Sequence, residues 1–345
     1  MTVVLDKGDL LKVFDEAPLA PVSAAPGAEG TAPLEVGLLN NMPDSALAAT
    51  ERQYVRLFEA AGSGRLVRLH FFSLPTVTRS AEAKARLDTV YHEIAKLKQT
   101  KLDGLIVTGA EPKTELLQQE PYWPELSEVI DWAKDNTTST IWSCLAAHAA
   151  VLYLDGIARQ RLPAKCSGVF ASTRATDDAL IDGLRWPLRI FHSRLNDLAE
   201  SDLVASNYRV LTRAPGAGVD IFVKRYKSLF VFFQGHPEYD PLSLRCEYLR
   251  DVGRFLSGAQ ENYPAAPAGY FDPETSAALD ELHLRALRKP DPAMVGECRA
   301  ILERSTVTTD RRGAATTIFR NWLNYLAESK SRARPTDNRL PISSS

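Results

Sequence analysis

STIWSCLAAHAA, residues 139–150, changes character at its centre. The run TSTIWS (138–143) is short, apolar and partly β-branched, which predicts a buried strand. From Leu145 the chain turns to LAAHAAVLYLDGI (145–157), which predicts a helix ending near Gly156. Cys144 is the joint, with the small residues Ser143, Ala146 and Ala147 around it.

Upstream, LEVGLLN (34–40), LVRLHFFS (66–73) and LDGLIVTGA (102–110) read as further buried strands. Asp44 or Ser45 can cap a helix between the first two, with Leu47, Tyr54, Val55 and Phe58 forming much of its apolar stripe. Residues 80–98 read as one amphipathic helix, and YWPELSEVIDWAKDN (122–136) as another. Strands alternating with helices in this way predict an α/β fold: a doubly wound, mostly parallel sheet flanked by helices. Downstream, LRIFHSR, YRVLTRA, VDIFVKRY and SLFVFFQGH read as four short strands, partly antiparallel, before a helix over 243–258.

The expected organisation has four parts. A flexible arm covers 1–33, rich in Ala, Pro and Gly, and the α/β catalytic domain covers 34–260. A helical C-terminal extension packs on it over 261–328, and a disordered tail covers 329–345.

Composition narrows the function. With 24% charged residues of both signs and a net charge of -2, nothing marks a nucleic-acid or membrane partner. No apolar run approaches a membrane span, and the acidic residues among the first seventeen argue against a secretory signal. Four cysteines, none in a CxxC pair, make neither a disulfide framework nor a zinc motif, so the metal expectation is none and the expected compartment is the cytoplasm. No glycine-rich phosphate loop of the nucleotide-binding types is present.

What then is Cys144 for? A residue between a parallel strand and the next helix sits in the ligand crevice of an α/β sheet. It also sits at a helix N-terminus, where positive potential favours a thiolate and free N–H groups can hold an oxyanion. A lone cysteine usually only packs, so a base is needed. VFFQGHPEYD (231–240) supplies one: His236 follows a strand end, and Glu238 stands two residues on to orient its ring. The remaining thiols Cys166, Cys246 and Cys298, and His148 one turn past Cys144, read as packing residues.

An elbow cysteine with a later His-x-Glu resembles the class I glutamine amidotransferase-like superfamily. Within it the chain is similar to the homoserine O-acyltransferases, of the homoserine O-succinyltransferase type. The segments that carry the resemblance are LLNNMPDSALAATERQYVRLF (38–58), LDGLIVTGA, YWPELSEVIDWAKDNTTSTIWSC (122–144), DGIARQRLPAKCSGVF (155–170), FHSR (191–194), GHPEYDPLSLRCEYLRD (235–251) and FRNWLNY (319–325).

The resemblance implies an enzyme of methionine biosynthesis that moves an acyl group from acyl-CoA to the hydroxyl of L-homoserine by ping-pong chemistry. Cys144 would carry the acyl group, His236 act as base and Glu238 orient it, with the Leu145 amide as oxyanion donor. Arg250 and Arg194 would hold the amino-acid carboxylate, and Lys165 and Ser193 would line the pocket. No permanently bound cofactor is implied; acyl-CoA is a co-substrate, and a homodimer is the assembly such relatives suggest.

The chain departs from the family pattern at four places, one being residues 264–312, which read as longer and more helical than the family's usual C-terminal segment. Met42-Pro43-Asp44-Ser45 stands where a lysine-bearing MPKK-like stretch is usual, and Leu145-Ala146 where Trp-Gly is common. After TGA it reads Glu111-Pro112-Lys113, and the Lys113 ammonium suits the free carboxylate of a succinyl group. Succinyl-CoA is therefore the favoured donor. An acetyl-CoA-dependent homoserine or serine acetyltransferase, and an amidotransferase-like amidase, stay open as alternatives.

Overall fold

Strands that are apolar on both faces need cover on both faces. In the computed structural model, which describes residues 3–8, 32–307 and 312–332, that demand organises the chain. The first half runs β1 (Val3–Leu5), β2 (Leu34–Leu39), α1 (Asp44–Ala61), β3 (Val67–Phe72), α2 (Ala81–Val90), β4 (Tyr91–His92), α3 (Ile94–Gln99) and β5 (Gly104–Val107). It closes with α4 (Trp123–Asn136), β6 (Ser139–Ser143) and α5 (Leu145–Asp155). The second half is richer in strand: β7 (Gln160–Arg174), β8 (Leu188–Asp197), α6 (Glu200–Ala205), β9 (Arg209–Val210), β10 (Thr212–Ala214), β11 (Gly218–Val219), β12 (Ile221–Arg225) and β13 (Leu229–Phe233). Four helices end it: α7 (Ser243–Leu256), α8 (Pro273–Arg288), α9 (Met294–Arg304) and α10 (Arg312–Arg332).

The main sheet has the order β1-β3-β2-β5-β6-β13-β12-β9, with β4 also on β3. It is parallel as far as β13, and β12 and β9 pair antiparallel. A second, antiparallel sheet has the order β11-β10-β7-β8. The period-2 alternation of strands divides the core cleanly. Val36, Leu38, Ile141, Val231 and Phe233 face α1 and α10, while Leu39, Trp142, Phe230 and Phe232 face α4 and α5. This is the predicted mostly parallel α/β sheet with antiparallel strands and added helices. Among the described residues no helix is long and apolar enough to cross a membrane.

Several local expectations are corrected. Residues 3–5, placed in the flexible arm, form β1 instead: Val3 is fully buried against the edge of β3. The rest of that arm, 9–31, lies outside the described residues. The single helix expected over 80–98 breaks at Tyr91, whose hydroxyl is held in the core by Glu51 and Asn40 and pulls the chain into extended β4. Helix α1 is preceded by Pro43 without a side-chain cap. Asp44 accepts from the Ser80 amide and Arg79 instead. Strand β7 was not expected, because its first half is largely exposed and carries no apolar alternation.

The C-terminal extension is not uniform. Helices α8 and α9 build their own cluster on α7. Helix α10 instead enters the main core, where Phe319 and Trp322 are fully buried against Tyr54 and Phe58 of α1. It runs on to Arg332, four residues into the stretch expected as tail, and 333–345 lie outside the described residues.

Candidate active site

β6 and β13 are parallel neighbours, with Ser143 opposite Phe233. One residue further, the Cys144 amide donates to the Phe233 carbonyl at 2.7 Å. Cys144 itself adopts φ 51°, ψ -110°, a conformation that is strained for a residue with a side chain. Such strain at a strand-to-helix turn lifts the side chain clear of the sheet as a nucleophile elbow. Leu145 opens α5, so its N–H is one of the helix's first-turn donors without an intrahelical acceptor. The loop after β5 runs beside it: a Cβ on Gly109 would lie 2.5 Å from Leu145 Cβ and 3.2 Å from its amide nitrogen.

His236 arrives from the adjoining strand end. Gly235 is wedged against β8, since a Cβ there would meet Ile190 Cγ2 at 2.6 Å and Asp220 Oδ1 at 2.7 Å. The His236 amide then donates to the Phe191 carbonyl at 2.7 Å. This holds the ring buried, with Nδ1 2.8 Å from Glu238 Oε1. Glu238 also accepts from the Ser143 hydroxyl at 3.5 Å.

Burial works against charge on His236. The charges of Cys144 and Glu238, with hydrogen bonds to both, more than offset it and hold the imidazole well above the usual histidine range. Burial raises the thiols of Cys166 and Cys246, and pushes Cys298 up to about 12. His148 is fully buried on Gln234 and is lowered to about 3, chiefly by burial.

Three expected pocket residues meet in one network beside the base. The Tyr239 ring stacks on His236, centroids 4.1 Å apart, and its hydroxyl donates to Glu247. Glu247 also accepts from Ser193 and from Lys165 at 3.4 Å, and Lys165 reaches Asp251 at 2.7 Å. Arg250 pairs with the same Asp251 at 2.9 Å. Burial opposes ionisation of Glu247, but Lys165, Ser193, Tyr239 and His236 together keep its carboxyl below the ordinary range. Sequence reasoning passed over Tyr239, Glu247 and Asp251. The one available signal was the i, i+4 spacing of Glu247 and Asp251, which puts both on one face of α7.

Two other expected residues are placed elsewhere. Arg194 is buried and already occupied, donating to the Asn196 carbonyl at 2.7 Å and to the Ala217 carbonyl, and pairing with Asp197 at 3.0 Å. Being next to Ser193 on β8, it points to the opposite face. Lys113 reaches Thr78 at 2.9 Å, and its loop is fixed by the buried Glu120 carboxylate, which accepts from the amides of Lys113 and Thr114 at 2.6 Å each. Glu111 of the same loop pairs with Arg254 on α7 at 3.1 Å.

A family model described as homoserine O-succinyltransferase matches residues 23–332. A homoserine O-succinyltransferase of Rhodopseudomonas palustris is 52% identical, covering 95% of this chain and 99% of that protein. One of Bradyrhizobium japonicum is 46% identical, covering 95% and 100%. Among solved structures, a glutamine amidotransferase of Thermotoga maritima aligns with TM-score 0.49 and 14% identity, covering 86% of this chain and all of that one. With nearly the whole length matched in both directions, the chain belongs to the homoserine O-succinyltransferase family.

Proposed function

We propose that the protein transfers a succinyl group from succinyl-CoA to the hydroxyl of L-homoserine through an acyl-Cys144 intermediate. One arrangement carries this: a strained elbow cysteine, tied by its amide to the strand end that leads into His236, whose ring a buried carboxylate orients, in a chain of this family. The thiolate attacks the thioester carbonyl, the Leu145 N–H steadies the oxyanion, and CoA leaves with the proton held by His236. The homoserine hydroxyl then attacks the acyl-cysteine, His236 takes its proton, and the sulfur leaves as thiolate. Splitting the transfer this way replaces one difficult step by two easier ones.

Specificity in this reading comes from the network beside the base. Arg250, a third exposed and steadied by Asp251, offers its planar fork to the acceptor carboxylate. Lys165 and Ser193 fix the acceptor's polar groups next to His236. Lys113, free to leave Thr78, would pair with the succinyl carboxylate. Arg194 is better read as the residue that holds the second sheet in place, since its nitrogens are taken. The protein would need no resident cofactor, with succinyl-CoA as co-substrate. A cytoplasmic homodimer is the proposed working form.

The test is a matrix of succinyl-CoA and acetyl-CoA against homoserine and serine, with Cys144→Ala as control. The expected result is CoA release with succinyl-CoA and homoserine, a succinyl adduct on Cys144 by mass spectrometry, and neither in the variant. Acetyl transfer in preference to succinyl would overturn the donor, and ammonia release from glutamine without any acyl transfer would overturn the reaction class.

A further inference from the structure

β1 and β4 share one edge of β3: Leu5 pairs with Leu69, and Tyr91 with Phe71. His70 lies between those two registers, so the residue leaving β1 and the second residue of β4 both reach it. The Asp6 amide donates to the Leu69 carbonyl at 2.9 Å, which fixes Asp6 there. Its Oδ2 lies 3.3 Å from His70 Nδ1 and 3.0 Å from His92 Nε2. These three donor atoms all fall within 4.8 Å of one another.

The arrangement lacks something. His70 and His92 are 5% and 9% exposed at the side chain. His70 Nδ1 has no hydrogen-bond partner among the described residues. The other nitrogen of His70 lies 2.7 Å from Glu35 Oε2, and the second Glu35 oxygen is held by Arg68 at 2.8 Å. With Nε2 turned to Glu35, the buried Nδ1 of His70 faces the Asp6 carboxylate at 3.3 Å without a hydrogen bond between them, a gap that a bound cation would bridge.

We propose that Asp6, His70 and His92 form a binding site for a divalent transition-metal ion of the zinc class, on the outer edge of β3. Two imidazoles and one carboxylate are the ligand types such an ion takes, and tetrahedral bonds of about 2.0–2.2 Å set donor atoms about 3.3 Å apart. Glu35 supplies the carboxylate behind a ligating histidine that orients its ring and sets its tautomer. The fourth position faces the side on which Asp6 is partly exposed and takes water. Lys96, whose Nζ is 3.4 Å from Asp6 Oδ2 and half exposed, competes for the carboxylate and moves to solvent when the ion binds. Strands β2 and β5 separate this edge from β6, so the ion is remote from Cys144 and ties the N-terminal strand to the sheet.

The test uses the full chain carrying Cys144→Ala, so that the active-site thiol takes no metal, stripped with a chelator. Titration with zinc chloride by calorimetry should show one ion per chain, and cobalt chloride should give the visible ligand-field absorption of a tetrahedral site. Asp6→Asn and His92→Gln should abolish both signals. Glu35→Gln should weaken binding about 10–100-fold, and Lys96→Ala should tighten it. Melting curves identify any variant that fails to fold; Asp6→Asn, at a partly exposed position, is the safeguard. The proposal is overturned by equal zinc binding in Asp6→Asn and His92→Gln, or by no binding at zinc concentrations matching the protein's.

Discussion

The Cys144 amide and the Phe233 carbonyl, 2.7 Å apart, extend the β6–β13 ladder by one hydrogen bond. That bond ties the strand end bearing the sulfur to the strand end from which His236 follows. The loop after β13 is in turn clamped on β8 through Gly235 and the His236 amide. The approach of thiol and imidazole is thus set by backbone pairing in the sheet, and the side chains have little freedom left to lose when substrate arrives.

Glu238 acts through the ring it orients. Glu238→Gln keeps an oxygen for Nδ1 but removes the charge that supports the imidazolium. We expect kcat to fall about a hundredfold to ten-thousandfold, the range of a general-base contribution, with KM for the acceptor little changed. Steady-state kinetics across pH would check this; an unchanged kcat would remove Glu238 from the catalytic set.

The proton affinity of the His236 ring depends on the sulfur beside it. Burial lowers the His236 pKa and the Cys144 charge raises it, so Cys144→Ala leaves burial with less opposition and the ring should titrate lower than in the wild type. A raised folded-state pKa stabilises the fold fully below the unfolded histidine value of about 6.5 and loses that effect as pH rises through the folded value. In the variant this loss should move to lower pH. Imidazole resonances followed by NMR across pH would show it, and an unmoved titration would mean that the two groups are not coupled.

Gly109 is there for space. A methyl group at this position would meet Leu145 Cβ at 2.5 Å and crowd the proposed oxyanion donor at 3.2 Å. Gly109→Ala should lower kcat/KM by about a hundredfold to a thousandfold, the effect of losing one such donor. Acylation of Cys144 at saturating acyl-CoA, measured in a single turnover, would report it directly.

Trp322 shows that one of the recognisable terminal residues is structural. Its ring lies on the bare backbone of Gly104, where a Cβ would come within 2.6 Å, and its Nε1 donates to the Ser139 hydroxyl at 2.9 Å. Trp322→Ala should destabilise the fold by about 3–5 kcal/mol, read as a lower denaturant midpoint. Removing α10 entirely should prevent folding of the sheet, because it covers one of the two faces.

Legibility followed sequence distance. Cys144, His236 and Glu238 were readable because each stands in a continuous segment whose strand or helix character is strong, and parallel strand ends converge by rule. Tyr239, Glu247 and Asp251 were not, because their roles exist only once α7 folds back over β8. The same holds for Asp6, His70 and His92, which two very short strands bring to one edge. Strand β7 escaped because half of it faces solvent, and the break at Tyr91 escaped because buried hydrogen bonds outweighed an amphipathic pattern that favoured helix. Arg194 was read by its neighbour Ser193, although adjacent strand residues point to opposite faces.

Asp220 offers a prediction that depends only on the sign of a linkage. It is fully buried between the sheets, where its Oδ1 accepts from the Gly235 amide at 3.2 Å and its Oδ2 from Ser172 at 3.3 Å and Thr212 at 3.4 Å. Burial is the strongest influence and those hydrogen bonds only partly offset it, so the carboxyl is raised from 3.8 to about 6. A raised carboxyl contributes stability fully below its unfolded pKa and loses it as pH rises through the folded one. The wild type should therefore lose stability between pH of about 4 and about 6 through this group, by roughly 3 kcal/mol. Asp220→Asn, which keeps an acceptor for the Gly235 amide but cannot ionise, should not. The difference between the two proteins, followed by denaturant unfolding across pH, should move in favour of the asparagine variant as pH rises and level off above about 7. A difference independent of pH would mean that Asp220 is ionised without penalty, and that the wedge behind His236 rests on a charge rather than on a shared proton.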